Sequence, residues 1–441
     1  MQRRTLLTGA AALALARPAL AAAPPKILFW HAMNGVLGDE LNKLIARFNS
    51  SQKTVEVVGV FKGGYPETLT AAIAAWRAGQ APHLVQVFDV GTGSMVAAGK
   101  AVKDLWQLVR ETGAPIRPAN YIASVRGYYS LPDGKMASMP FNSSTAVMWY
   151  NQDAFEKAGL DPAKPPATWP EVVAAASQIA LKQAAKYAIT TSWPTWIHFE
   201  QFAAIHNLPY ATASDGFKGL DARLLIDHPA FVANLQRLLD MAKAGTFKYA
   251  GRDNLPDPLF YSGQAAITFN SSAARGALVK SAKFRFAEAY LPYDPQVIKK
   301  PINSIIGGAS LWTMTAPRRT HAEYKAVAAF LRFLGEPQQD AEWAAATGYV
   351  PVTFAGAALL KKRGFFEKNP GTELPIFQLE RLPVTDNSRG IRLGNMAQLR
   401  VIIEEEWEKA LGGQQNAKQA LTAAVERGNA VLRNFERSMA G

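Results

Sequence analysis

The chain contains no cysteine. That excludes disulfide cross-links, a thiolate nucleophile and any cysteine-based metal site. Histidine is scarce as well. The residues at 31, 83, 198, 206, 228 and 321 show no metal-binding spacing such as HxxxH. No GxSxG elbow or comparable nucleophile signature is present, which leaves hydrolytic chemistry without a motif. Beyond the N-terminus no apolar run is long enough to cross a bilayer. Internal repeats and low-complexity tracts are also lacking. What is present is ordinary globular composition, with 49% hydrophobic and 19% charged residues.

The first residues, MQRRTLLTGAAALALARPALAAAPPK, read as an export signal over 1–21. Arg3 and Arg4 form the basic region, Thr5 to Ala16 a short apolar stretch, and Ala19-Leu20-Ala21 a small-residue cleavage site. The arginine pair followed by Leu6-Leu7 leaves twin-arginine and general export both open. A periplasmic protein is expected, held by its core alone, and the length suggests two or more lobes. The formal net charge of +13 becomes +10 once Arg3, Arg4 and Arg17 leave with the signal. This charge could favour anionic ligands or be a plain basic surface. Lys299-Lys300 and Lys361-Lys362-Arg363 are short solvated clusters, and export argues against a nucleic-acid partner.

The mature chain opens with a βαβαβ pattern. KILFWH (26–31), VEVVGVF (55–61) and HLVQVFDV (83–90) are strand-like runs ending at Asn34-Gly35, Gly63-Gly64 and Gly91-Thr92-Gly93. Between them, Leu37, Leu41, Leu44, Ile45 and Phe48, then Leu69, Ile73 and Trp76, follow helical spacing. A parallel sheet with right-handed crossovers follows, with ligands at its strand C-termini. Tyr65 and Asp89 fall at that rim. Further strands are expected over 145–150, 186–193, 262–274 and 303–314, the last with the pair Gly307-Gly308 inside it. Thr168 should cap a helix beginning at Trp169, and a helix with Leu421, Val425, Leu432 and Phe435 on one face should close the chain.

Apparent nucleotide motifs fail on inspection. Val96 stands where a dinucleotide fingerprint needs its third glycine, and Gly93 to Gly99-Lys100 has the wrong spacing for a phosphate loop. Neither cofactor nor metal is expected. The candidate residues are polar or aromatic groups at strand ends and turns: Tyr65, Asp89, Ser144, Trp193, Trp196, Ser271, Gly308, Tyr349 and Arg400. Serine pairs commonly make turns or caps, and tryptophans commonly fill cores. Pro194, between Trp193 and Trp196, argues against a regular helix across the pair.

The stretch NQDAFEKAGLDPAKPPATWPEV resembles a signature of solute-binding proteins of ABC importers with the maltose-binding-protein architecture. FWHAMNG, FKGGY, QVFDVGTG, PFNSSTAV, IIGGASLW, TGYVPVT, FFEKNPG, RLGNMAQLRVIIEEE and AVERGN, in this order from about residue 28 to 436, resemble its sn-glycerol-3-phosphate-binding subfamily. The resemblance implies an α/β, two-lobed fold of class II, each lobe a mainly parallel sheet flanked by helices, with the ligand in the cleft between them. It implies lobes formed by 26–142 with 308–346 and by 143–307 with 347–438. It also implies a monomeric, non-catalytic protein that delivers its ligand to membrane permease subunits.

Carried onto the candidate residues, the resemblance implies that Arg400 grips phosphate, helped by Ser144, Ser271, Tyr349 and the Gly308 N–H. Asp89, with Tyr65, would accept hydroxyls at the opposite end. Trp193 and Trp196 would pack on the three-carbon backbone, although core filling stays open for them. The subfamily has glutamate where this chain has Asp89, which keeps glycerophosphodiesters such as glycerophosphocholine open as ligands. An oligosaccharide ligand is a further alternative, and a periplasmic phosphodiesterase or glycosidase is the competing class.

Overall fold

The computed structural model describes residues 24–440. The expected export signal lies outside them. The three opening runs form β1 (Lys26–His31), β2 (Glu56–Phe61) and β3 (Leu84–Phe88), with β1 parallel to both neighbours. Between them lie the helices Gly35–Ser51 and Tyr65–Arg77. The first buries Leu41, Leu44, Ile45 and Phe48, as the spacing predicts. Leu37 stays half-buried and turns to the cleft instead.

β4 (Val102–Lys103), β5 (Met139–Ser144) and β11 (Gly307–Met314) complete this sheet, in the order β2-β1-β3-β11-β4 with β5 also on β11. β11 runs antiparallel to β3, β4 and β5, so the sheet is mixed beyond its parallel opening. Direction is set by where the returning chain enters, which composition does not encode. The glycine pair opens β11 rather than lying inside it.

The second sheet has the order β10-β6-β9-β7-β8, made of β6 (Ala146–Asn151), β7 (Tyr187–Thr191), β8 (Phe247–Lys248), β9 (Ala265–Ser271) and β10 (Phe286–Ala289). It repeats the first design. A parallel trio centred on β7 is extended by antiparallel β6 and β10. The chain passes from the first sheet to the second at Thr145, between β5 and β6, and returns between β10 and β11. Ser143 and Ser144 still belong to the first sheet, opposite Gly308 and Gly307.

Local signals explain the helices around the second sheet. Thr168 forms a capping box with Glu171 at the start of the helix Trp169–Leu181, and Asn151 accepts from the Ala154 N–H. The closing helix Ala417–Ala440 buries Leu421, Leu432 and Phe435. Pro194 does not break its segment. The Ile197 N–H bonds to the Trp193 carbonyl, so the proline sits in a first helical turn where its missing N–H costs nothing. Trp193 takes a left-handed φ of 49°, and Trp196 begins a π-helical stretch, Trp196–Gln201.

Candidate functional site

Both parallel trios point their C-terminal ends at one cleft of about 620 Å³. Its lining takes residues 32–37 after β1, 64–67 after β2 and Asp89 after β3. From the other side come Trp193 and Trp196 after β7, Asp253 and Asn254 after β8, and Ser271 at the end of β9. Ser144, Gly307, Gly308, Tyr349 and Arg400 complete it, so all nine sequence-derived candidates line the same cavity.

Each wall is held from behind. Gln86 donates to the Asn142 side-chain oxygen (2.8 Å), and Asn142 donates to the Tyr65 hydroxyl (3.0 Å). Tyr65 also stacks on Phe88 with ring centroids 5.4 Å apart. Burial pushes the Tyr65 and Tyr349 phenols above their ordinary pKa, so they stay neutral. Trp196 is buried, with an indole N–H that has no hydrogen-bond partner among the described residues. It packs against Gly307, where an added Cβ would come within 2.3 Å of the ring. The strained φ of Trp193 is fixed by its N–H bond to the Asp253 carbonyl (2.9 Å).

Gly308 has φ 98°, and a Cβ there would fall 1.9 Å from the Asn142 carbonyl oxygen. Gly308→Ala should therefore destabilise the protein by about 2 kcal/mol or more and shift Asn142 off Tyr65. A thermal melt with a ligand titration checks this; an unchanged midpoint would show that β11 can yield.

Arg400 and Asp89, expected at opposite ends of the cleft, are in contact instead. The Arg400 Nη2 lies 3.4 Å from an Asp89 carboxylate oxygen. Arg400 also makes a fork onto Glu200, with Nε and Nη2 donating at 2.7 and 2.8 Å. Two carboxylates thus surround one guanidinium. Burial opposes the Arg400 charge, but Glu200 and Asp89 outweigh it and hold its pKa above the usual value. Burial also pushes the Asp89 carboxyl up to about 7, with Arg400 opposing and Glu200 adding to the rise.

Arg400 is the one cationic side chain among the lining residues, against the carboxylates of Glu67, Asp89, Asp253 and Asp257. A phosphate dianion beside Arg400 would face Asp89 and Glu200 as well. The remaining polar lining is different. Ser144, Ser271 and the Gly307-Gly308 backbone offer neutral donors. Ser271 accepts from the Ala273 N–H at 3.1 Å, capping the turn Ser272–Ala274, which leaves its own O–H free to donate. The N-termini of the helices Gly35–Ser51 and Tyr65–Arg77 also open onto the cavity, with their positive dipole ends.

Sequence reading missed Glu200, Asn142, Gln86 and the Asp253–Asp257 rim. Glu200 had one available signal, a carboxylate among Ile197, Phe199 and Phe202 in an apolar stretch.

The model of the family described as bacterial extracellular solute-binding protein matches residues 43–371. A curated protein from Pectobacterium atrosepticum, named sn-glycerol-3-phosphate-binding periplasmic protein UgpB, is 43% identical and covers 98% of this chain and 97% of its own length. Its namesake from Rhizobium meliloti is 44% identical over 93% of this chain and 95% of its own. Among solved structures, UgpB from Mycobacterium tuberculosis in complex with glycerophosphocholine aligns with a TM-score of 0.77 at 21% identity, covering 93% of this chain and 98% of that one. Maltose-bound MalE3 from T. maritima aligns with a TM-score of 0.75 at 18% identity, covering 91% and 98%. With its two sheets facing one cleft, the chain belongs to the bacterial extracellular solute-binding protein family, as a two-lobed, periplasmic, non-catalytic binding component.

Proposed function

We propose that this protein is the substrate-binding component of an ABC importer for glycerol phosphate esters, with sn-glycerol-3-phosphate as its principal ligand. The relatives named for that ligand match nearly the whole chain. The observation that carries the reading is a lining that combines the Asp89–Arg400 pair with neutral hydroxyl and backbone groups. Asp89 and Arg400 set an acceptor beside a donor, which suits neighbouring hydroxyls that both give and take hydrogen bonds. The Ser144, Ser271 and Gly308 wall supplies neutral donors for phosphate oxygens. Trp193 and Trp196 add flat apolar surface for the carbon chain. This reassigns Arg400 from the phosphate to the hydroxyl end.

The lobes proposed are 26–142 with 308–346 and 143–307 with 347–438, except that Ser143, Ser144 and Gly307 go with the first lobe, whose sheet they join; they act as a monomer and close over the ligand by a hinge motion before docking on the permease. A second ligand class is favoured by the cavity itself. At about 620 Å³ it has room beyond a three-carbon monoester, which a glycerophosphodiester head group would occupy.

Tryptophan fluorescence of ligand-stripped protein, titrated with sn-glycerol-3-phosphate, glycerophosphocholine and maltose, tests the proposal. A saturable response to the monoester at micromolar concentration or tighter is expected. A response to maltose alone would overturn it, and a response to the diester alone would move the principal ligand to the second class.

A further inference from the structure

Glu200 stands outside the cavity lining, is 1% exposed, and spends both carboxylate oxygens on Arg400. Its position is rigidly set. The next residue, Gln201, accepts from the Ile305 N–H at 3.0 Å and donates to the Ile305 carbonyl at 2.8 Å. Two residues further on is Gly307, on which Trp196 rests. One short π-helical stretch therefore supplies the apolar wall through Trp196 and the partner of the guanidinium through Glu200. Thr195, just before it, lies 3.5 Å from a carboxylate oxygen of Glu404 on the same helix as Arg400.

A guanidinium has two edges that match an oxyanion. Here the edge formed by Nε and Nη2 is closed by Glu200, and Asp89 flanks Nη2. Arg400 is thus left able to donate to a neutral oxygen while its charge is already matched. Without Glu200 it would keep a single carboxylate contact at 3.4 Å and a fork of the kind that seats phosphate.

We propose that Glu200 is a positioning residue that sets ligand specificity: by closing one edge of Arg400 it turns the cleft floor into a diol-reading pair and excludes free inorganic phosphate and sulfate. This rests on the glycerol phosphate ester reading above. It explains how a site for phosphate esters avoids occupation by the inorganic anion, since discrimination then comes from the organic end and not from a cation.

The test is Glu200→Gln, which keeps size and one acceptor but removes the charge. Calorimetric titrations with inorganic phosphate and with glycerophosphocholine are run on wild type and variant, each checked by thermal melt. Glu200→Gln should bind inorganic phosphate at least tenfold more tightly than wild type and glycerophosphocholine at least tenfold more weakly. Glu200→Asp, which restores the charge on a shorter arm, should exclude phosphate again. An unchanged ratio of the two affinities in a folded Glu200→Gln overturns the proposal. If that variant does not fold, Glu200→Asp carries the test, and phosphate binding by it would be the overturning result. Failure of the wild type to bind any glycerol phosphate ester would sink the ligand assignment alone, because gain of phosphate binding is read without that ligand.

Discussion

Arg400→Ala should remove nearly all ligand affinity and lower the thermal midpoint in the same variant. The first effect follows from losing the only cationic donor among the lining residues. The second follows from what is left behind. Glu200 and Asp89 are 1% and 7% exposed, and truncation leaves both carboxylates without their counter-charge. Removing one partner of a buried ion pair costs about 3–5 kcal/mol. Asp89 can escape part of that by taking a proton, since its pKa already lies at about 7. The loss should therefore be larger at about pH 8 than at about pH 5.5. Combining Arg400→Met with Glu200→Gln and Asp89→Asn separates the two effects. Melting should recover, because none of these three residues is left as an unpaired buried charge, while titration should still show no binding. Affinity within threefold of wild type in Arg400→Ala would place the ligand elsewhere.

The framework was legible because its signals are local. β-branched runs closed by glycine gave β1, β2 and β3, and helical spacing gave the helices between them. Right-handed crossovers then put Tyr65 and Asp89 at one rim without any structure. Strand direction beyond that point was not legible. β11 enters its sheet from a chain returning out of the second sheet, so its antiparallel course depends on the long path between Ser144 and Gly307 and not on composition.

The site divides in the same way. The candidate residues came from motifs, and the structure gathers them around one cleft. Their pairing was hidden. Asp89 and Arg400 are 311 positions apart, and Arg400 and Glu200 are 200 apart. No spacing rule links such groups. The resemblance put Asp89 at the hydroxyl end and Arg400 at the phosphate, and nothing in the sequence shows that Arg400 goes with Asp89. From sequence alone Pro194 reads as a breaker, whereas at the first turn of a helix it is an initiator. Which role applies depends on the conformation of Trp193, whose φ of 49° a sequence does not announce.

Affinity for glycerophosphocholine should fall steeply in acid, by close to a hundredfold between about pH 8 and about pH 5, at about tenfold per unit below a pKa of about 7. The diester is the right probe because its phosphate does not titrate in this range. A hydroxyl donates well to an ionised Asp89 and poorly to a protonated one, so ligand and proton compete for the same oxygens. Stability of the free protein should move the other way. Burial holds the Asp89 carboxyl at about 7 in the folded state against the ordinary 3.8, so the folded state holds more protons between those limits, and stability falls as pH rises through them. Burial raises Asp215 and Glu404 to about 7 and Asp340 to about 6, adding in the same sense. Acid should thus strengthen the empty protein while weakening its grip, a combination that general acid damage does not produce. Asp89→Asn should flatten the binding profile and leave the stability trend in place, because Asp215 and Asp340 still titrate. A wild-type affinity constant across that range would mean that Asp89 accepts no hydroxyl from the ligand.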